Sequence, residues 1–152
     1  MSAQTLREAL YSPEKQRGLV DDCQRLLDSE VAKKGGISGS VIKGAYKTVA
    51  KLKPGLIRGV LELLLGEWMD ELEPEYVSYL AAEQSGTFGD FLLKRKDDVA
   101  ERMLAVTDKR AVNTTHKTAG KLYKRLRGGA KGQVIESLPA VAEVLDRHLA
   151  KV

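Results

Sequence analysis

The sequence predicts a single all-α domain, on three observations. Apolar residues recur at helical spacing along nearly the whole chain, with no useful run of period two. The aromatic content is only 5%, which argues against β-rich folds. The third is Pro54 to Leu72, PGLIRGVLELLLGEWMDEL, the most apolar stretch and the site of the only tryptophan, Trp68. Ile57, Val60, Leu61, Leu64 and Trp68 fall on one helical face, and Leu56, Leu63, Leu65 and Leu72 widen it into a stripe that must be surrounded. With 152 residues the chain is about one domain, large enough to bury roughly two-thirds of its unfolded surface.

Seven to nine helices follow in order. Thr5 to Tyr11 reads as a lead-in helix. Ser12 and Pro13 then supply a cap and a first-turn proline for a second, whose apolar face (Leu19, Val20, Cys23, Leu26, Leu27, Val31) runs to Lys33 and Lys34 before Gly35 and Gly36 stop it. Ser38 or Ser40 caps a third helix to about Leu52, with Val41, Ile42, Ala45, Tyr46, Val49 and Leu52 inward. Pro54 starts the central helix, and Pro74 is expected to end or kink it near Leu72, with Glu75 to Glu83 as another helical piece. Thr87 caps a short helix carrying Phe88, Phe91 and Leu92, and Asp97 the next. Lys109 to Leu126 reads as a further helix with Ala111, Thr115, Ala119, Leu122 and Leu126 on one face. Arg127 to Gly132, RGGAKG, reads as a flexible turn, Gln133 to Leu138 as a short helix, and Pro139 as the start of a last one.

Outside the core the organised feature is charge. From Val31 to Leu61 there are seven bases and no acid, and from Lys109 to Lys131 eight bases and no acid. Glu62 to Glu101 carries eleven acids against three bases, net −8. Lys43, Lys47 and Lys51 lie at i, i+4, i+8 along one helix flank, and Lys117, Lys121 and Lys124 lie mostly off the apolar face of theirs. If these two flanks converge, they make a positive surface for an anionic partner, either a nucleic acid backbone or an anionic lipid surface. The rival is a helical assembly or scaffold protein that self-associates by pairing its basic and acidic surfaces. Internal ion pairing and solvated helix faces account for the same pattern without any partner.

Catalytic chemistry finds little support, and the protein is expected not to be an enzyme. His116 and His148 have no metal-binding spacing, and Ser38, Ser40 and Ser137 lack a nucleophile-elbow context. Glu67, Asp70, Glu71, Glu73 and Glu75 cluster at the end of the central helix without an E-x-x-H partner. Gly39 and Gly44 have P-loop spacing, but Ala45 stands where the lysine must be. No cofactor or metal is predicted. Cys23 is the only cysteine, so no intramolecular disulfide forms, and its place on an apolar face reads as a small buried hydrophobe. With no signal-peptide pattern at MSAQTLREAL and no apolar run near the ~20 residues of a span, a cytoplasmic protein is expected.

Three segments carry a resemblance: GSVIKGAYKTVAKLKPG (Gly39 to Gly55), LAVTDKR (Leu104 to Arg110) and LYKRLRG (Leu122 to Gly128). With them the chain resembles an uncharacterised bacterial family of about 150-residue helical proteins classed as a domain of unknown function. The resemblance implies a bacterial, single-domain, helical protein and brings no activity, cofactor or binding residue with it.

Overall fold

The structure, a computed structural model, describes residues 4–82, 86–115 and 117–151, without the side chains of Ile37, Ser38 and Ala119. Among these residues there are seven helices: α1 (Leu6–Tyr11), α2 (Pro13–Lys33), α3 (Gly36–Leu52), α4 (Leu56–Ala81), α5 (Phe88–Lys94), α6 (Lys96–Val112) and α7 (Lys117–Leu149). No strand occurs among the described residues. Glu83, His116 and the proposed roles of Ser38 as a cap and Ala119 as an apolar contact lie outside them.

Local chemistry sets several boundaries as expected. Thr5 and Glu8 form a reciprocal capping box at α1, and Thr87 and Asp90 form another at α5. Pro13 occupies the first turn of α2, though the Ser12 hydroxyl donates to the Glu14 carboxylate rather than capping a backbone N–H. Gly35, not Ser38 or Ser40, is the N-cap of α3. Gly39 packs so closely on the end of α2 that a Cβ there would come within 2.6 Å of the Lys34 carbonyl carbon. α6 starts after Arg95, which places Asp97 inside its first turn, where its charge suits the helix dipole.

Five further expectations are corrected. Pro74 neither ends α4 nor separates a second piece: one helix runs from Leu56 to Ala81, because proline forfeits a single backbone bond while Leu72, Glu75 and Tyr76 stay packed on both sides of it. RGGAKG is not a turn, and Pro139 does not open a helix. Lys117 to Leu149 is one helix of 33 residues, about 50 Å long at ~1.5 Å per residue. The segment from Lys109 to Leu126 is instead two helices, broken at 113–115, where the Asn113 amide donates to the Lys109 carbonyl. Finally, Val41, Leu52, Val60 and Leu63 are exposed, Leu52 by 67%, although their spacing puts them on inward stripes.

α4 packs on α1, α2, α3, α5 and α6, and α7 packs on α1, α2, α3, α5 and α6. The core joins Leu6, Leu10, Leu19, Leu65, Met69, Leu72, Phe88, Leu92, Leu138 and Leu145. α1 is short but firmly docked on α4. The Leu6 N–H donates to Glu73 (2.7 Å), the Tyr11 hydroxyl donates to the Glu62 carbonyl (2.6 Å), and Arg7 pairs with Asp70 (2.6 Å). Trp68 reaches α6, its indole N–H donating to the Met103 carbonyl at 3.1 Å.

Asp22 fastens α2 to α7. Its carboxylate meets His148 at 2.6 Å, Arg147 at 3.5 Å and Arg25 at 2.9 Å. The hydrogen bond to His148, followed by the nearby arginines, holds this carboxyl below its ordinary value, against some desolvation. A folded value below the unfolded ~3.9 means stability present above that ordinary value and lost as pH falls through the folded one. Asp22→Asn is therefore expected to lower the urea midpoint at neutral pH and to flatten its decline into acid. An unchanged acid slope would sink the assignment.

Candidate functional site

The ion pairs divide the basic residues into two classes. Arg58 is engaged with Asp21 (2.8 Å) and Glu62 (3.5 Å), Lys34 with Glu136 (3.1 Å), Arg102 with Glu71 (3.8 Å) and Lys131 with Glu101 (3.0 Å). Arg110 pairs with Glu67, and Arg127 with Asp108 at 2.7 Å. Lys43, Lys47, Lys51, Lys117, Lys121 and Lys124 make no ion pair among the described residues. Arginine is mostly employed within the molecule, and the six lysines are left over together with others, among them Lys53, Lys94, Lys96, Lys109 and Arg125. All six are exposed except Lys43, which is half-buried.

Their placement follows from the course of α3 beside α7. Gly39, near the start of α3, shares a cleft with Gln133 and Glu136 of α7. Gly55, just past the end of α3, shares a groove with Gly120 and Tyr123. The two helices therefore run antiparallel, with Lys51 near the α7 end that carries Lys117, Lys121 and Lys124. Lys43 and Lys47 sit back along α3, about 12 Å separating Lys43 from Lys51 at ~1.5 Å per residue.

The groove at that end has a volume of about 570 Å³ and is lined by α4 (Leu56, Val60, Leu63), α6 (Arg110, Ala111) and α7 (Gly120, Tyr123), among others. Gly55 turns the chain into α4 with φ 84°, a left-handed conformation suited to glycine. The Tyr123 hydroxyl donates to Asp108, which also accepts from Arg127 (2.7 and 3.1 Å), and the Thr107 hydroxyl stands 2.8 Å from that of Tyr123. Arg127, then Tyr123, hold the Asp108 carboxyl below its usual range, and burial followed by Asp108 raises the Tyr123 phenol. Some of the exposed apolar side chains are found here as well, while Val41, Val77 and Leu80 are exposed elsewhere. Val60 and Leu63 line the groove, while Leu52 and Val112 flank it in sequence, Val112 being 85% exposed. Sequence reasoning found the lysines and missed this apolar surface, because spacing placed Leu52, Val60 and Leu63 in the core.

The chain belongs to DUF6918, a family of unknown function. The family model matches residues 6–149, nearly the full length, in line with the resemblance of the three quoted segments. No curated protein and no solved structure gives a significant match. In this DUF6918 chain the carboxylates at the end of α4 are all engaged. Glu67 is with Arg110, Asp70 with Arg7, Glu71 with Arg102, Glu73 with the Leu6 N–H, and Glu75 with Arg95 and Arg102. No group of three or more metal-ligating side chains occurs among the described residues. Cys23 is largely enclosed, and burial pushes its thiol up to about 12, the condition of an unreactive cysteine. No described helix is long and apolar enough to cross a membrane.

Proposed function

We propose that this DUF6918 protein is a non-enzymatic cytoplasmic protein that docks on anionic membrane surfaces through the lysine-rich end formed by α3, α4 and α7. The reading is carried by a groove with exposed aliphatic side chains, Val60 and Leu63, whose surroundings in sequence bring lysines that make no ion pair among the described residues: Lys121 and Lys124 follow the groove residues Gly120 and Tyr123, and Lys51 precedes the exposed Leu52. A lipid interface accepts both, since aliphatic side chains enter the headgroup boundary while lysines remain with anionic headgroups. A nucleic acid backbone uses the charge and leaves Leu52 and Leu63 in water. Self-association through opposite charges has less to draw on, because most of the acidic block is engaged within the chain.

Each lysine near the surface contributes about 1 kcal/mol. The triple substitution of Lys51, Lys121 and Lys124 by Gln is therefore expected to weaken binding about a hundredfold. Co-sedimentation with phosphatidylcholine vesicles, with and without phosphatidylglycerol, checks this. Binding should require phosphatidylglycerol, fall as the Debye length shrinks from ~10 Å to ~3 Å between 0.1 and 1 M salt, and fall again in Leu63→Ser. Capture of duplex DNA without vesicle binding overturns the reading in favour of nucleic acid. Salt-sensitive self-association without vesicle binding overturns it in favour of assembly.

A further inference from the structure

α4 and α7 are the two longest helices, yet they face each other across an apolar cavity that opens to solvent on one side rather than packing backbone to backbone. The cavity measures about 300 Å³, and its walls include Cys23, Leu65, Trp68, Leu72, Val134 and Val141. That is room for about ten waters at ~30 Å³ each, and twice the ~150 Å³ of an engineered apolar cavity that stays dry and binds benzene. Protein interiors otherwise close-pack with few voids larger than one water. Water here would find few partners on aliphatic walls, whereas a hydrocarbon would recover the dispersion contacts that the lining residues lack.

One end of the space is polar. Glu30, Lys34 and Gln133 line both the cavity and the adjoining cleft that contains Gly35, Gly39 and Glu136. At this end the charges are matched: Lys33 meets Glu30 at 3.3 Å and Lys34 meets Glu136 at 3.1 Å. Among the described residues lining this end, no cation is left over for an anionic head. What is left over is the Oε1 of Gln133, which has no hydrogen-bond partner among the described residues and is covered by its neighbours, so that a donor in the cavity reaches it by a turn of the half-buried Gln133 amide. Such an orphan is destabilising until a donor reaches it.

We propose that the cavity between α4 and α7 binds one single-chain, uncharged amphiphile, its hydrocarbon tail against Trp68 and Val141 and its hydrogen-bond-donating head at Gln133. The site meets the groove at the lysine-bearing end only at Thr107, and its test contains no membrane. Gln133 specifies the head: a hydroxyl or amide N–H satisfies Oε1, while an ether cannot and a carboxylate repels it.

Trp68 is the only tryptophan and stands in the wall, so its fluorescence reports occupancy. Titration with 1-decanol should give a saturable emission change, and native mass spectrometry should show one decanol per chain. Decyl methyl ether, which lacks the donor, should bind about three- to tenfold more weakly, and Gln133→Leu should erase that preference. Val141→Phe fills the cavity and should abolish binding with thermal stability kept or raised. Val134→Phe provides the same test should Val141→Phe fail to fold. An unchanged Trp68 spectrum at saturating decanol, or wild-type affinity in a folded cavity-filled variant, overturns the site. Tighter binding of decanoate than of decanol at neutral pH overturns the assignment of the head.

Discussion

Phe88→Ala is expected to destabilise the fold by about 3–5 kcal/mol, the usual loss for emptying a large aromatic site in a core. Phe88 is 1% exposed and joins three elements. Tyr76 of α4 meets it edge-on at 5.2 Å, and Tyr79 lies tilted at 5.6 Å. Its neighbour Gly89 packs directly on α7: the Gly89 N–H donates to Asp146 at 2.8 Å, and a Cβ would approach the Ala142 carbonyl oxygen to 2.9 Å. α5 has only 7 residues, far below the ~12–15 at which an isolated helix becomes marginal, so it owes its existence to this docking. Against a typical stability of ~5–15 kcal/mol the loss is large. It should appear in urea unfolding as a lowered midpoint, and a change below about 1 kcal/mol would mean that Phe88 is not the anchor described.

The second large effect concerns Glu75, which is 2% exposed beside Pro74 within α4. Arg95 Nε lies 2.7 Å from Oε2, though off the angle of a hydrogen bond, and Arg102 Nε lies 3.4 Å from Oε1. The arginine side chains are 46% and 37% exposed, and this asymmetry decides the prediction. Removing both arginines, as Arg95→Met with Arg102→Met, leaves a buried carboxylate uncompensated and is expected to cost about 3–5 kcal/mol. Glu75→Leu leaves two guanidinium groups that already reach water and replaces a buried charge by an aliphatic group, so it should be much milder, close to neutral. Denaturant midpoints of the two variants check the order. The reverse order would show that Glu75 is held for its own contacts rather than by its counter-charges.

Sequence reasoning succeeded where one residue's backbone preference settles the matter: proline at 13, the threonine cap at 87, the glycine stop at 35. It failed where such a preference competes with packing over many residues. Pro139 reads as a helix start, yet Val134, Leu138, Val141 and Leu145 continue one apolar stripe straight through it, and all four pack in or against the core cluster. That spacing of 4, 3 and 4 was the available signal. Gly128, Gly129 and Gly132 are exposed with open space around them, so each adds only its intrinsic ~1 kcal/mol cost relative to Ala, which the tertiary contacts of α7 outweigh. Of the site, the lysines were legible because charge has no partner in a list of residues. Which bases would be neutralised was not, since the pairs that engage the arginines join α4 to α6 and α2 to α4 across long stretches of chain. The cavity was invisible for a similar reason: apolar spacing names the residues that line a core and says nothing of whether they meet.

Thr107 gives this architecture a genetic consequence. It lies on the wall common to the cavity between α4 and α7 and the groove at the lysine-bearing end, and its hydroxyl touches both the Leu104 carbonyl and the Tyr123 phenol. A mutation at this codon changes two compartments at once, so neither can drift without dragging the other. Among family members, residues at positions 107 and 123 should be inherited as a unit, and swapping one without the other between relatives should produce a hybrid poorer than either parent.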